Sequence, residues 1–146
     1  MLLDKVNRLR LETKDQRSFI MRMVKGRNTK PEIIVRKFLF EKGFRYRLNV
    51  NNLPGKPDIV LAKHKVVIMI NGCFWHGHEG CSQFRMPKTS LSYWNNKIQR
   101  NIQRDAKNIT DLNELGWKVI IIWECDLKKD RKEDTLLKLV QKIRRN

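Results

Sequence analysis

The sequence predicts an α/β protein with a mixed central β-sheet flanked by helices. Two apolar runs, PDIVLA and KVVIMIN, are separated by about two residues, as in an antiparallel hairpin. A third run, WKVIIIWEC, is almost continuously apolar, which is typical of a strand covered on both faces. A long stretch with helical spacing connects the second run to the third, and such a crossover favours parallel pairing of these two strands.

The elements are expected in the order αβββαβα. The first helix covers TKPEIIVRKFLFEKG, because Thr29 and Glu32 form a capping-box pattern ahead of an apolar stripe. Pro31 suits the first turn of this helix, and Gly43 suits its end. A short strand is expected over residues 44–50, FRYRLNV, followed by a turn in NNLPGKP.

The hairpin turn is expected at Lys63 and His64. SLSYWNNKIQRNIQRDAKNITDLNELG predicts a long helix that stops at Gly116, and KEDTLLKLVQKIRR predicts the last helix. Ahead of these elements, residues 16–25 have helical spacing and residues 1–15 form a charged, basic arm. We expect one domain over residues 1–146.

The charge balance indicates a polyanionic partner. The chain carries 32 Lys and Arg against 15 Asp and Glu, a net charge of +17, which favours nucleic acid. Charge alone also suits a ribosomal or chromatin-like binder. Three cysteines, an odd count, argue against a disulfide framework, and no run has the length of a membrane span. We expect a soluble cytoplasmic protein with no membrane partner.

The stretch GCFWHGHEGC predicts a metal site. Cys73 and Cys81 flank this loop, and Cys125 follows the last strand. If the two strands are parallel, Cys125 reaches the loop, and one loop histidine would complete a Cys3His zinc site. Spacing does not choose between His76 and His78. The alternative is three separate buried thiols, which are ordinarily inert.

A second site is expected around Asp58. In the predicted hairpin this residue lies across from Met69 or Ile70, close to the start of the metal loop. A carboxylate beside a loop histidine suits Mg²⁺-assisted phosphodiester hydrolysis, with the histidine moving a proton. The alternative is that Asp58 only caps the turn after Pro57.

These motifs closely resemble the Vsr family of very short patch repair endonucleases, which nick DNA at T:G mismatches. The resemblance implies a fold similar to the type II restriction enzymes, the PD-(D/E)XK superfamily, with its Pro-Asp at Pro57–Asp58. The downstream acidic-x-Lys signature is missing here, as it is in that family. The matching stretches, in the family's order, are RSFIMRMVKGRNTKPE, LPGKPDIVLA, GCFWHGHEGC and LGWKVIIIWEC.

The resemblance also implies residue roles. Asp58 would be the principal Mg²⁺ ligand, with the backbone carbonyl of Ile70 as a second ligand. His76 would be the catalytic histidine, and Glu32 would organise water around the metal. The zinc ligands would be Cys73, His78, Cys81 and Cys125.

The sequence departs from the family pattern at Asn71. Some members have a second histidine there, directly before GCFWH. An asparagine cannot exchange a proton near neutral pH, but it can hydrogen-bond a phosphate or a metal-bound water. The loop between the cysteines is also one residue longer than in some relatives.

Large apolar side chains near the loop are candidates for DNA contact. Phe74 and Trp75 lie at the loop tip, and Trp94 opens the next helix. Inserting an aromatic ring between base pairs costs less free energy at a mispair. The easier deformation of the DNA there would let the protein distinguish a mismatch from matched DNA. The resemblance adds Met21 as a wedge from the minor-groove side. The alternative for the aromatic residues is ordinary core packing. Arg100 and Arg104 are expected to contact phosphates.

We therefore expect a Mg²⁺-dependent endonuclease that nicks one strand at T:G mismatches and leaves a 5′-phosphate and a 3′-hydroxyl. The family implies a monomer associated with the bacterial nucleoid, with mismatch-repair proteins as accessory partners. It also implies a functional link to a cytosine-5 methyltransferase, because T:G mispairs arise when 5-methylcytosine is deaminated. The rival functions are a restriction-type or less selective nuclease on the same fold, and a catalytically weak, zinc-stabilised DNA-binding module.

Overall fold

The computed structural model describes residues 28–145 as a four-stranded mixed sheet with three α-helices. The predicted arm, the predicted helix over residues 16–25 and Met21 lie outside these residues. The observed chain order confirms αβββαβα. The elements are α1 (Lys30–Glu41), β1 (Arg47–Leu48), β2 (Ile59–Leu61), β3 (Val66–Asn71), α2 (Leu91–Glu114), β4 (Lys118–Trp123) and α3 (Lys132–Arg144).

The start of α1 uses the predicted cap in an altered form. Thr29 Oγ1 accepts a hydrogen bond from the Glu32 N–H at 3.5 Å, and Pro31 lies in the first turn. The Glu32 carboxylate does not return to Thr29. It accepts instead from the Asn28 N–H at 2.8 Å and from Arg36 Nη2 at 2.9 Å. Because a buried carboxylate needs partners, these contacts fix the Glu32 side chain.

The strands lie side by side in chain order, from β1 to β4. β2 pairs antiparallel with β3, with Ile59 opposite Ile68, so Asp58 faces Met69 as predicted. The turn between them is a 3₁₀ turn over Ala62–His64 that closes at Lys65 in a left-handed conformation. β3 pairs parallel with β4, which confirms the predicted crossover through α2.

The strand expected over residues 44–50 is shorter than predicted. Only Arg47–Leu48 pair with β2. At one end, the Phe44 N–H bonds to the Leu39 carbonyl and closes α1. At the other end, Asn49 has a φ of +51°, which turns the chain out of the ladder.

Both faces of the sheet are covered. One face packs on α1 and α3 through Val35, Leu39, Leu136, Leu139 and Ile143, and the other packs on α2 through Leu112. β4 contributes Ile120 and Ile122 to the first face and Val119 and Ile121 to the second. This explains why its sequence is apolar at consecutive positions. Among the described residues, no helix is both long and apolar enough to cross a membrane.

The C-terminal cap of α2 directs the chain from the helix into β4. Gly116 has a φ of +90°, which a side chain would disfavour, and the Trp117 N–H bonds back to the Leu112 carbonyl at 3.0 Å. Leu112 is fully buried at this point, whereas Leu115 is 55% exposed. The docking of α2 on the sheet therefore depends on Leu112.

We predict that Leu112→Ala lowers the free energy of unfolding by about 2–5 kcal/mol, because it removes a buried side chain and leaves a cavity. Leu115→Ala, at the exposed position nearby, is the matched control and should change stability by less than about 0.5 kcal/mol. Urea denaturation followed by circular dichroism measures both. Equal losses for the two variants would show that α2 does not dock through Leu112.

Candidate active site and metal centre

Asp58 is fixed at the end of the hairpin. Its Oδ2 accepts a hydrogen bond from the Ile70 N–H at 2.7 Å. The predicted neighbourhood of Asp58 and Ile70 is therefore present, through the amide of Ile70. This contact orients the carboxylate toward the end of β3, where the loop GCFWHGHEGC begins.

The surroundings of Asp58 favour its protonated form. Burial raises the pKa of its carboxyl to about 6, and the nearby Glu32 carboxylate adds to the rise. The Ile70 N–H, His76 and Arg36 act in the opposite direction and lower this pKa. Glu32 and His76, both singled out in the sequence, thus lie close enough to act on Asp58. A cation bound there would relieve the cost of its charge.

His76 is held by an acidic residue that sequence reasoning missed. Its Nδ1 lies 2.6 Å from Oδ2 of Asp105 on α2, with both side chains partly accessible. The contact fixes the tautomer with the proton on Nδ1 and leaves Nε2 as the second functional nitrogen. Asp105 lies seven residues from both Ile98 and Leu112 on the buried face of the helix. An acidic residue at such a position was the available signal.

The loop is pressed against α2 at Gly77. A Cβ at this residue would lie 2.6 Å from Ile102 Cδ1, and its φ is +64°. Asn101 Nδ2 donates to the Trp75 carbonyl at 2.8 Å, one residue before His76. The glycine between the two histidines therefore permits the close approach that brings His76 to α2.

The three cysteines and one histidine gather in a cluster that could hold a metal ion. The ligand atoms of Cys73, His78, Cys81 and Cys125 all lie within 4.8 Å of one another. Tetrahedral zinc with bonds of about 2.3 Å to sulfur requires sulfur atoms roughly 3.8 Å apart, which this spacing accommodates. The alternative of three separate thiols does not hold. Parallel pairing of β3 and β4 brings Cys125 to the loop, as expected.

The two histidines face different groups. His78 Nδ1 lies 3.5 Å from Cys125 Sγ, whereas His76 faces Asp105. Burial raises the pKa of the Cys73 thiol to about 12, so a cation is needed to stabilise its thiolate at neutral pH. The donor set, three sulfurs and one imidazole, is chemically suited to zinc.

The aromatic candidates form a cluster of their own. Phe74 and Trp94 are buried, at 5% and 4% exposure, and pack on Ile98 with their rings 5.5 Å apart. Trp75 is half-buried at the edge of this cluster. Tyr93, which the sequence analysis did not single out, is 58% exposed and packs edge-on to Trp94. The core packing considered as the alternative is thus present for Phe74 and Trp94.

The remaining polar candidates occupy distinct positions. Asn71 is buried at the end of β3, opposite Trp123 in the ladder. Arg100 and Arg104 are exposed on α2, and Arg104 Nη2 donates to Asn101 Oδ1 at 3.1 Å. Asn101 also donates to the Trp75 carbonyl. The exposed guanidinium of Arg104 is therefore linked through Asn101 to the loop that carries His76.

We predict that Asp58→Asn stabilises the protein in Mg²⁺-free buffer at pH 7.5. The raised pKa means that an ionised Asp58 costs stability above about pH 6. This cost decreases as the pH falls through about 6 and disappears only below the ordinary carboxyl pKa of 3.8. An asparagine keeps an acceptor for the Ile70 N–H without the charge. The gain should be about 1 kcal/mol after solvent screening, or several degrees in melting temperature.

Thermal melts at pH 7.5 and pH 5 measure this effect. The difference between Asp58→Asn and the unchanged protein should be clearly smaller at pH 5 than at pH 7.5, because the cost of ionising Asp58 falls between its raised pKa and the ordinary carboxyl pKa of 3.8. Asp111→Asn, on the solvent-facing part of α2 and paired with Lys107, is a control in which no such gain is expected. A lower melting temperature for Asp58→Asn at pH 7.5 would contradict the prediction.

The chain matches known proteins over most of its length. The family model of the DNA mismatch endonuclease Vsr matches residues 10–83. The type II nicking enzyme V.NmeAIP of Neisseria meningitidis serogroup A is 49% identical over 133 residues, which cover 90% of this chain and 94% of the relative. The DNA mismatch endonuclease Vsr of Escherichia coli strain K12 is 41% identical over 115 residues, which cover 79% and 73%. The chain belongs to the Vsr family of endonucleases.

Proposed function

We propose that the protein is a Mg²⁺-dependent DNA endonuclease that nicks one strand at T:G mismatches and leaves a 5′-phosphate and a 3′-hydroxyl. The observation that carries the proposal is that Asp58 lies within electrostatic range of His76, which Asp105 orients. Relatives are named a mismatch endonuclease and nicking enzymes, which supports this chemistry.

The oxygen ligands around Asp58 suit magnesium, a hard cation that binds carboxylates and carbonyls. Asp58 and the Ile70 carbonyl would hold it. One oxygen of Glu32 already accepts from Asn28 and Arg36, so its second oxygen is the one to position water. When bound, Mg²⁺ would polarise the phosphoryl group and offset its developing charge.

His76 is the group that moves a proton. Because the Asp105 carboxylate accepts a hydrogen bond from Nδ1–H, Nε2 is directed away from α2 and can exchange a proton with substrate or water. Water adds to phosphorus, the bond to the 3′-oxygen breaks, and that oxygen leaves as a hydroxyl after receiving a proton. Asn71 cannot take part in proton transfer, and it would hydrogen-bond the phosphate instead.

The DNA surface would combine basic and aromatic side chains. Arg100 and Arg104 on α2 would contact phosphates, next to the loop. Trp75, half-buried at the cluster edge, is best placed to reach a base step. Phe74 and Trp94 would reach one only if the aromatic cluster opens, and Met21 would act from the minor-groove side. Opening the cluster to insert a ring costs less free energy at a weakened mispair than at a matched base pair. Recognition of the mismatch would therefore depend on how easily the DNA deforms.

Zinc would be a structural ion, bound by Cys73, His78, Cys81 and Cys125 in a closed site. It would brace the loop that carries His76, two residues before His78. We further propose a monomer that acts on the bacterial chromosome in the cytoplasm. A cytosine-5 methyltransferase would supply the methylated sites, and mismatch-repair proteins would be accessory partners.

We predict Mg²⁺-dependent nicking of T:G duplexes and little cutting of the matched duplex. Supercoiled and oligonucleotide substrates, with varied flanking bases and with or without Mg²⁺, measure this. Asp58→Ala and His76→Ala should each lower the rate by at least about 100-fold, because they remove the metal ligand and the proton carrier. His64→Ala, in the hairpin turn, is the histidine control and should nick normally.

The outcomes separate the rivals. Equal cutting of matched and mismatched duplexes would indicate a restriction-type or less selective nuclease. Tight binding without cutting would indicate the DNA-binding module, to which Asn71 points because it replaces a histidine. Unchanged nicking by Asp58→Ala and His76→Ala would refute the catalytic assignment.

We predict that Asp105→Asn lowers kcat about 10- to 100-fold with little change in KM. The amide no longer favours the tautomer with its proton on Nδ1, while the DNA surface is intact. Single-turnover nicking and DNA-binding titrations separate the two parameters. Lys107→Gln, also on α2, is the control for a change of helix charge. A change in KM alone would mean that Asp105 serves binding rather than catalysis.

A further inference from the structure

The imidazole of His78 lies flat against the indole of Trp123. The ring centroids are 4.0 Å apart and the planes differ by only 4°. The other aromatic ring pairs found among residues 28–145 are inclined by 39° or more. Stacked and edge-on arrangements are both favourable for aromatic rings, so the feature to explain is that this pair alone, among those found in residues 28–145, is parallel.

Trp123 is held by contacts on both sides. Its backbone pairs with Asn71 in the parallel ladder, and its backbone N–H donates to Asp126 Oδ2 at 3.2 Å. Asp126 is fixed in turn by Thr135, whose hydroxyl donates to its carbonyl at 2.8 Å. Cys125 follows two residues after Trp123. A single rigid segment thus supplies one candidate metal ligand and the surface against which another one rests.

The stack sets the plane of the His78 ring. Nδ1 faces the thiols, 3.5 Å from Cys125 Sγ, so Nε2 points away from them. In most protein metal sites, a hydrogen bond from the second ring nitrogen to a carboxylate or carbonyl orients the histidine. Within residues 28–145, His78 Nε2 makes no such bond, and the indole face takes over the orienting role. Metal binding draws charge from the imidazole, which strengthens its attraction to an indole face.

We propose that Trp123 is a positioning residue of the metal centre. It holds the His78 ring in the plane in which Nδ1 completes the four-ligand set, and so raises the affinity of the site for zinc. This inference rests on the zinc site of the proposed function. It assigns to the tryptophan of the WEC stretch a role distinct from packing, because the ring is only half-buried at the end of β4.

Competition for Zn²⁺ against a chromophoric chelator, on the full chain, tests the inference. Trp123→Leu keeps an apolar strand residue without a ring and should bind Zn²⁺ at least roughly tenfold more weakly. Trp123→Phe keeps an aromatic face and should fall between this variant and the unchanged protein. Trp117→Leu is the matched control, because that ring lies against Lys65 at the opposite end of β4, and its zinc affinity should be unchanged.

The visible spectrum of the Co²⁺-loaded protein provides a second readout. At saturating metal, Trp123→Leu should retain thiolate-to-cobalt absorption, since the four metal ligands are intact. Zinc affinity unchanged in Trp123→Leu, or reduced equally in Trp117→Leu, would overturn the role of Trp123 alone. An unchanged protein that takes up neither metal would instead overturn the zinc site itself.

Discussion

The parallel pairing of β3 with β4 is the constraint on which both candidate sites depend. It sets the carboxyl ends of the two strands side by side, with Asn71 opposite Trp123. As a result, the loop that begins at Gly72 lies next to the segment that ends at Cys125. α2 makes this pairing possible, because it is the crossover that returns the chain to the same edge of the sheet.

α2 is more than a connection, since residues on its buried face contact the loop that begins at Gly72. Ile98 and Ile102 receive Gly77, Asn101 holds the Trp75 carbonyl, and Asp105 holds the His76 ring. The cluster that could hold a metal takes three of its ligands from the same short loop, and two of them, Cys73 and His78, flank His76 in the chain. The loop that carries His76 is therefore connected both to α2 and to the four-ligand cluster. Two histidines separated by one glycine can for this reason face different groups.

The proposed catalytic carboxylate carries a cost in the free protein. Asp58 is mostly shielded from water and lies near the Glu32 carboxylate, and this combination raises its pKa to about 6. Such an arrangement is expected where a cation completes the site, because the ion removes the repulsion that destabilises the empty pocket. Arg36 offsets part of the charge by pairing with Glu32 at 2.9 Å.

Much of the fold could be predicted because it rests on local signals. The cap at Thr29, the hairpin and the apolar run of β4 each have a pattern that fixes one type of element. The register that places Asp58 near Ile70 follows from the length of the hairpin turn. The same logic predicted that Cys125 reaches the loop, since only strand direction was needed.

The rest depends on side-chain contacts that no local pattern records. β1 is short because Asn49 takes a left-handed conformation, which its sequence neighbours do not require. The Glu32 carboxylate accepts from Asn28 and Arg36 rather than from the Thr29 amide that a capping box uses. Asp105 was overlooked because it resembles one more polar residue in a charged helix. Its contact with His76 arises only when the loop folds onto α2.

Long-range ¹H–¹⁵N spectra of the histidine rings, recorded with and without zinc, test most directly whether the proposed zinc site positions the ring of His76, the proposed catalytic histidine. With zinc bound, His76 should show a protonated Nδ1 and a free Nε2, and His78 should bind the metal through Nδ1. Removal of zinc should abolish the single tautomer of His76. The reverse assignment of the two histidines, or a His76 spectrum that does not respond to zinc, would contradict the coupling between the two sites.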